Sequence, residues 1–392
     1  MKTRWLFFVG LLGGVALLSC ERAAPTPDLS FGMVTLLGQD TVAVEEVQME
    51  PGKVRARAIL RSPRLSFLEY EMSLGSNYEM LTFSGAAYAK PGAAAADLLE
   101  SYTLTFSADR DTLQMIQRTQ AEIVGYNFAA TSAVLPFLDM IHWPFEVMSR
   151  KMNAAKLDSL VQPLFAGRRT LNFKLYPGGG DTLFIEHPTR GATWALKGVD
   201  GALTYLDAGA TTRKLRVFRT ESVDFDRLAT RFLEQESQGK RIGELSGRGS
   251  ARATIGKLNM EFDYGQPVRR GRTLFGSVVP WGERWRTGAN KATHMRIDHA
   301  IKMGDLLIPP GEYTLFSIPE PDGGVLIINT QTGQNGQSYD PQLDLGRVSM
   351  QIDTLGESVE LFTIEVAETA TDRGSLRLMW GNTVFSIPFS VE

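Results

Sequence analysis

The chain has a single cysteine, Cys20, in 392 residues, and only four histidines, His142, His187, His294 and His299. One cysteine excludes an intrachain disulfide framework, so stability has to come from packed cores. Few histidines narrow the metal and acid–base options. No His-Glu-x-x-His pattern occurs, and His294 and His299, five apart, fall on opposite faces if they share a strand. There is no Gly-x-Ser-x-Gly nucleophile elbow and no glycine loop opening a helix, since Gly247-x-Gly249 leads into strand-like alternation. Positive charge is not in excess: 41 Lys and Arg stand against 44 Asp and Glu, which argues against nucleic acid as a partner. No metal and no other cofactor is expected. Long apolar runs are absent as well, except at the N-terminus.

There, Lys2 and Arg4 precede an apolar run from Trp5 to Leu18, followed by Ser19, Cys20 and the charged pair Glu21 and Arg22. The run is shorter than the roughly 20 residues of a spanning helix and has the layout of an export signal. Leu17-Leu18-Ser19-Cys20 resembles the bacterial lipobox, in which the cysteine is acylated and becomes the mature N-terminus. The resemblance implies a signal peptide over 1–19, lipidation of Cys20 and membrane attachment through several acyl chains. No aspartate follows Cys20, which points to the periplasmic side of the outer membrane. The alternative is an export signal with a chance cysteine. Residues 20–30, with Pro25 and Pro27, read as a lipidated tether.

Residues 31–236 read as an N-terminal β-rich domain. Val42 and Val44 alternate with Ala43 and Glu45, and Val54, Ala56 and Ala58 with Arg55 and Arg57, the period of half-buried antiparallel strands. Turn residues at Pro177-Gly178-Gly179-Gly180-Asp181 and Val199-Asp200-Gly201 predict hairpins. Near 132–165 apolar residues crowd together around Pro136 and Pro144, which predicts a helical insert of one or two short helices on the concave side of the sheet. That insert is either plain core or a lid over a hydrophobic cavity, with His142 a hydrogen-bonded core residue. Phe225 to Glu236 reads as a closing helix, and 237–251, rich in glycine, as a linker. From 252 to 392 the alternation is clean, as in Leu258, Met260, Phe262 and Tyr264, and short strands between turns predict a C-terminal sandwich. The expected fold class is therefore mainly β: two antiparallel β domains, the first a curved sheet with a short helical insert, the second a β sandwich.

Several separated segments carry a family resemblance: Tyr264-Gly265-Gln266-Pro267, Gly271-Arg272, Leu274-Phe275-Gly276, the run from Val279 through Trp285 to Asn290, Ile308 to Pro319, and Trp380-Gly381-Asn382-Thr383. Together they resemble the bacterial family called domain of unknown function 2911, over roughly 252–391. The resemblance implies an exported β domain and carries no activity with it. Pro310 stands where such members often have Ala. The first domain is similar in outline to curved-sheet carriers of lipids and lipoproteins, a likeness of shape.

The richest polar cluster is Trp281, Arg284, Trp285, Arg286, Asn290, Thr293 and His294, of which Trp281, Trp285, Arg286, Asn290 and His294 are the candidate ligand-binding residues. Arginine offers a two-pronged donor for carboxylate or phosphate, tryptophan a flat face for a sugar or cation, and asparagine paired donor and acceptor groups. The same residues suit a structural role, with the indoles pinning a loop into the core and Arg286 and Asn290 satisfying backbone groups. No residue is assigned as catalytic. Two function classes follow. One is a non-catalytic, membrane-anchored binding or scaffolding lipoprotein whose ligand is a lipid, a glycan or an envelope protein. The other is a hydrolase or glycan-active enzyme using this loop.

Overall fold

Strand after strand pairs with its sequence neighbour in the computed structural model, which describes residues 29–92, 94–129, 133–167 and 169–392. The expected signal peptide, Cys20 and most of the tether lie outside the described residues. The first strand, Leu29–Leu37, already takes in the last two positions assigned to the tether, because Leu29 and Ser30 pair with Met49 and Gln48. From there the chain meanders outward through eight strands to Ile123–Ala129. It then restarts at the opposite edge with Leu135–Pro136 and meanders back until Arg216–Thr220 pairs with Leu29–Leu37, completing one sheet of fifteen strands.

Chain length alone forces this sheet to curl. Fifteen strands laid flat would span about 67 Å at roughly 4.8 Å per step. The six-residue advance from Ala129 to Leu135 reaches at most about 22 Å. The two edges must approach each other, and Phe128 on one side lies 5.0 Å from Phe165 on the other, ring centre to ring centre.

The curled sheet closes around helix α1, Trp143–Ala154. The insert expected near 132–165 is thus a single helix, and Leu160–Phe165 is a strand paired with Thr170–Gly179. Pro144 sits in the first turn of α1, where the missing N–H costs nothing. The helix start is capped from a distance. Both carboxylate oxygens of Glu45 accept from His142 N, at 2.9 and 3.0 Å, and one accepts from Trp143 N at 3.0 Å, placing negative charge at the positive end of the helix. Further along, the fully buried Glu146 accepts from Leu203 N at 2.7 Å, Arg150 Nε at 2.8 Å and Arg219 at 3.1 Å. His142 bonds Thr35 Oγ1 at 3.2 Å and is buried, as expected of a core histidine.

The strand Asp40–Glu50 departs from its half-buried reading: Val42, Ala43, Val44 and Glu45 are all buried. Glu45 faces α1 inside the curve. Val44, with Ile59 and Phe67, is covered on the outside by helix α2, Phe225–Ser237, through Phe225, Ala229 and Phe232. Asp224 caps α2 by accepting from Arg227 N.

A second sheet holds nine strands and begins with Ser246–Ile255, so the chain is in strand six residues before 252, through the last part of the expected linker. Its two long strands, Asp344–Ala370 and Arg373–Val391, pair with each other through register shifts at 354–363. Such bulges bend a strand, and here the bend folds the sheet back over itself. Ile364 N donates to Tyr264 Oη at 3.2 Å, a contact between strands that lie far apart in the sheet order, and Arg269 N, just beyond the strand that holds Tyr264, donates to Glu360 O at 2.8 Å. One apolar cluster, including Phe262, Leu315, Phe362 and Phe385, fills the space between the two layers.

The sheets are joined at Arg270. Its guanidinium pairs with Asp40 at 2.5 Å and donates to Ile242 O, and its carbonyl accepts from Gln39 N at 3.1 Å.

Candidate functional site

Inside the curve of the first sheet, on the α1 side, lies a cavity of about 460 Å3, within the roughly 300–1,000 Å3 of small-molecule sites. Alternation supplies its wall: Leu68 and Tyr70, Phe83 and Ala87, Tyr102 and Leu104, then Met115, from four successive strands. Phe137, Leu138 and Phe165 close it from the returning half of the sheet. Trp143 of α1 stands behind this wall, 6.2 Å from Tyr70 and 6.3 Å from Phe83. The polar groups gather at one end, where Gln117 donates to the exposed Glu100 at 3.4 Å and Asp139 lies nearby. Among the described residues neither the Tyr70 nor the Tyr102 hydroxyl has a hydrogen-bond partner. Burial pushes both phenols upward from their ordinary range, with the Glu100 charge adding to the effect on Tyr102, so both remain protonated donors. The cavity can hold an apolar chain and offer hydroxyls to a polar group along it.

A glycine makes room for one of these rings. Gly85 lies opposite Tyr102, and a Cβ at Gly85 would fall 2.7 Å from the ring. Gly249 and Tyr264 repeat the arrangement in the second sheet, also at 2.7 Å. A bare backbone position lets the aromatic ring lie flat across its neighbour strand.

The loop singled out by sequence is divided by the structure. Trp285 is packed inward, 5.9 Å from Trp380 in a near-parallel stack and 5.0 Å from Phe362, and its Nε1 donates to Gly288 O at 3.0 Å. Its backbone pairs with Ser317. Trp281 stacks on Phe275. Arg286 donates to Asn290 O at 3.1 Å, and Asn290 Nδ2 to Ser246 O at 3.2 Å. Trp285, Arg286 and Asn290 share a cleft between the two sheets, which neither Trp281 nor His294 lines. His294 sits on Thr293–Ile297, where its Nε2 accepts from Gly333 N at 2.9 Å; burial lowers its pKa and keeps the ring neutral. His299 bonds Asp298 beyond the end of that strand.

The loop approaches the sheet because Gly265 has no side chain: a Cβ there would fall 1.7 Å from Ala289 O. This close approach gives a physical reason for the Tyr264-Gly265-Gln266-Pro267 motif. Among the described residues no group of three or more His, Cys, Asp or Glu is placed to hold a metal ion.

The apolar cavity went unseen in the sequence beyond the suggestion that the insert near 132–165 is a lid over a hydrophobic cavity. Its walls come from residues 60 to 167, and each strand alone looks like ordinary core.

No curated protein matches the chain. Among solved structures, the chain is similar to a DUF1849 protein of Brucella abortus described as β-barrel-like, at 7% identity and TM-score 0.32, over 51% of this chain and 97% of that one. It is similar also to a DUF1089 family protein of Pseudomonas aeruginosa, at 9% identity and TM-score 0.30, over 43% and 90% of the two chains. In the second sheet, from its first strand to its last, residues 246–389 match the family described as protein of unknown function DUF2911.

Proposed function

We propose that this protein is an exported envelope lipoprotein, acylated at Cys20 and held on the periplasmic side of the outer membrane, which binds a lipid-like amphipathic molecule non-catalytically. The observation that carries the binding role is the cavity in the first sheet: apolar walls, two unpartnered tyrosine hydroxyls and a polar rim at Glu100 and Gln117. Each methylene buried there contributes about 0.8 kcal/mol, so a chain of roughly ten carbons supplies the ~8 kcal/mol of micromolar retention. The anchor rests on the lipobox resemblance at Leu17 to Cys20.

The enzyme reading draws less support. Trp285 is half-buried, stacked on Trp380 at the cleft wall, and His294 is occupied by a backbone N–H and does not line the cleft beside Arg286. The test is native mass spectrometry with lipid extraction on protein purified from its own envelope. A bound lipid released only on unfolding, and lost when Ala87→Phe fills the wall, is the expected result. A ligand-free mass, or a lipid retained equally by Ala87→Phe, overturns the binding role. The anchor is read separately: Cys20→Ser should move the protein from the membrane to the soluble envelope fraction.

A further inference from the structure

The cleft between the sheets is chemically unlike the cavity inside the first one. It measures about 690 Å3 and carries six cationic side chains, Arg190, Arg213, Lys214, Arg272, Arg286 and Lys291, against two carboxylates, Asp139 and Glu244. Asp139 is already committed to Arg190 and Arg213. Glu244 is exposed. Three of the other four cations are held by neutral carbonyls: Lys214 donates to Gly209 O at 2.8 Å, Arg272 to Arg269 O at 2.9 Å and Arg286 to Asn290 O at 3.1 Å. Asp40 and Glu360, the acids acting on Arg272, are both bonded to Arg270. Positive charge thus converges from both sheets without a matching number of acids. Burial first, and neighbouring guanidinium charge second, lower the pKa of Lys214, Arg272 and Arg286.

We infer that this cleft is a binding site for a small molecule bearing phosphate, its charge met by Arg213, Lys214 and Arg272 on one side and Arg286 and Lys291 on the other. Phosphate fits better than carboxylate because it brings up to two charges and three acceptor oxygens to a set of forked and point donors. The inference is independent of the lipid cavity, since no residue but Asp139 lines both. The phosphate can belong to a lipid headgroup, whose diester brings one charge and two free oxygens to these donors, or to a free phosphorylated metabolite, whose terminal phosphate brings up to two charges and three oxygens.

The test is calorimetric titration of the full-length protein in neutral detergent with inorganic pyrophosphate and, separately, with a deacylated glycerophosphodiester, at constant ionic strength. Saturable binding is expected, weakened at least tenfold by Lys291→Glu and by Lys214→Asn and unchanged by Lys257→Gln, a distant exposed control. Asn tolerates the left-handed backbone at Lys214, and Lys291 is exposed, so the second variant carries the test if the first fails to fold. Tighter binding of the diester assigns a headgroup, and tighter binding of pyrophosphate a free phosphate. Absence of saturable binding at millimolar pyrophosphate, reproduction of the signal by chloride, or equal affinity in Lys291→Glu overturns the inference.

Discussion

Replacing Glu146 by Gln keeps the shape of the side chain and removes its charge from a site with no solvent exposure. Three donors converge there: Leu203 N, Arg150 and Arg219. An amide can still accept from one or two of them, but its own NH2 then faces a donor. Arg150, 3% exposed, is left with Asp200, whose side chain is 57% exposed, whereas Arg219 keeps its stack on Phe31 and partial access to water. Breaking a buried pair by removing one partner costs about 3–5 kcal/mol. The retained acceptor places Glu146→Gln near 3 kcal/mol, which for a body of this size lowers the melting temperature by about 6–12 °C. Circular dichroism melts at neutral pH measure it. Adding Arg150→Met should recover part of the loss, because the stranded cation goes with it. A loss under about 1 kcal/mol, or strictly additive effects in the pair, would refute the view that α1 is fastened to the sheet by this buried cluster.

Gly265→Ala sets a methyl against the Ala289 carbonyl, and backbone rather than a flexible tip has to yield; a loss of about 2–3 kcal/mol and altered tryptophan fluorescence from Trp285 are expected in a thermal melt. His187 is buried against Phe173 with its Nδ1 accepting from Thr189 N, and burial followed by the charge of Arg190 lowers its pKa to about 4 from 6.5. The unfolded chain therefore binds the proton more readily. The stability His187 contributes is complete above pH 6.5 and is lost as pH falls towards 4, up to roughly 2 kcal/mol after allowance for partial solvent access. Melts at pH 7 and 5.5 should differ more for the parent than for His187→Leu, and equal differences would contradict the assignment. Phospholipid extracted with the Tyr70→Phe, Tyr102→Phe double variant should fall several-fold while its melting temperature stays within a few degrees of the parent.

Much of the fold was legible because local chemistry dictated it. Pro177 to Asp181 announces a reversal, and the chain does turn there, though only at Gly180 and Asp181: the strand Thr170–Gly179 takes in the first three of these residues and returns as Thr182–His187. The spacing of Phe225, Ala229 and Phe232 already reads as one face of a helix. Burial on two sides was not legible at Glu45, because a charged residue in an alternating strand looks outward until a helix start almost a hundred residues later is brought to it. The candidate loop shows the same limit. Trp285 suits a ligand face and a core equally well, and spacing could not show that it stacks on Trp380, nearly a hundred residues away in sequence, while still lining the cleft. The cations from the first sheet that meet Arg286 could not be associated with it by spacing, since they reach it through the junction between sheets.

Pairing of Leu29–Leu37 with Arg216–Thr220 joins the beginning of the first sheet to its end. During synthesis Val34 emerges long before its partner Phe218 exists, a wait of roughly 10–40 s at about 5–20 residues per second. One side of the first strand finds Asp40–Glu50 at once, but its other edge stays open for that interval. An unpaired strand edge is a template for other chains, so the first strand, paired on both sides when the sheet is complete, is most prone to misassociation while the sheet is being made.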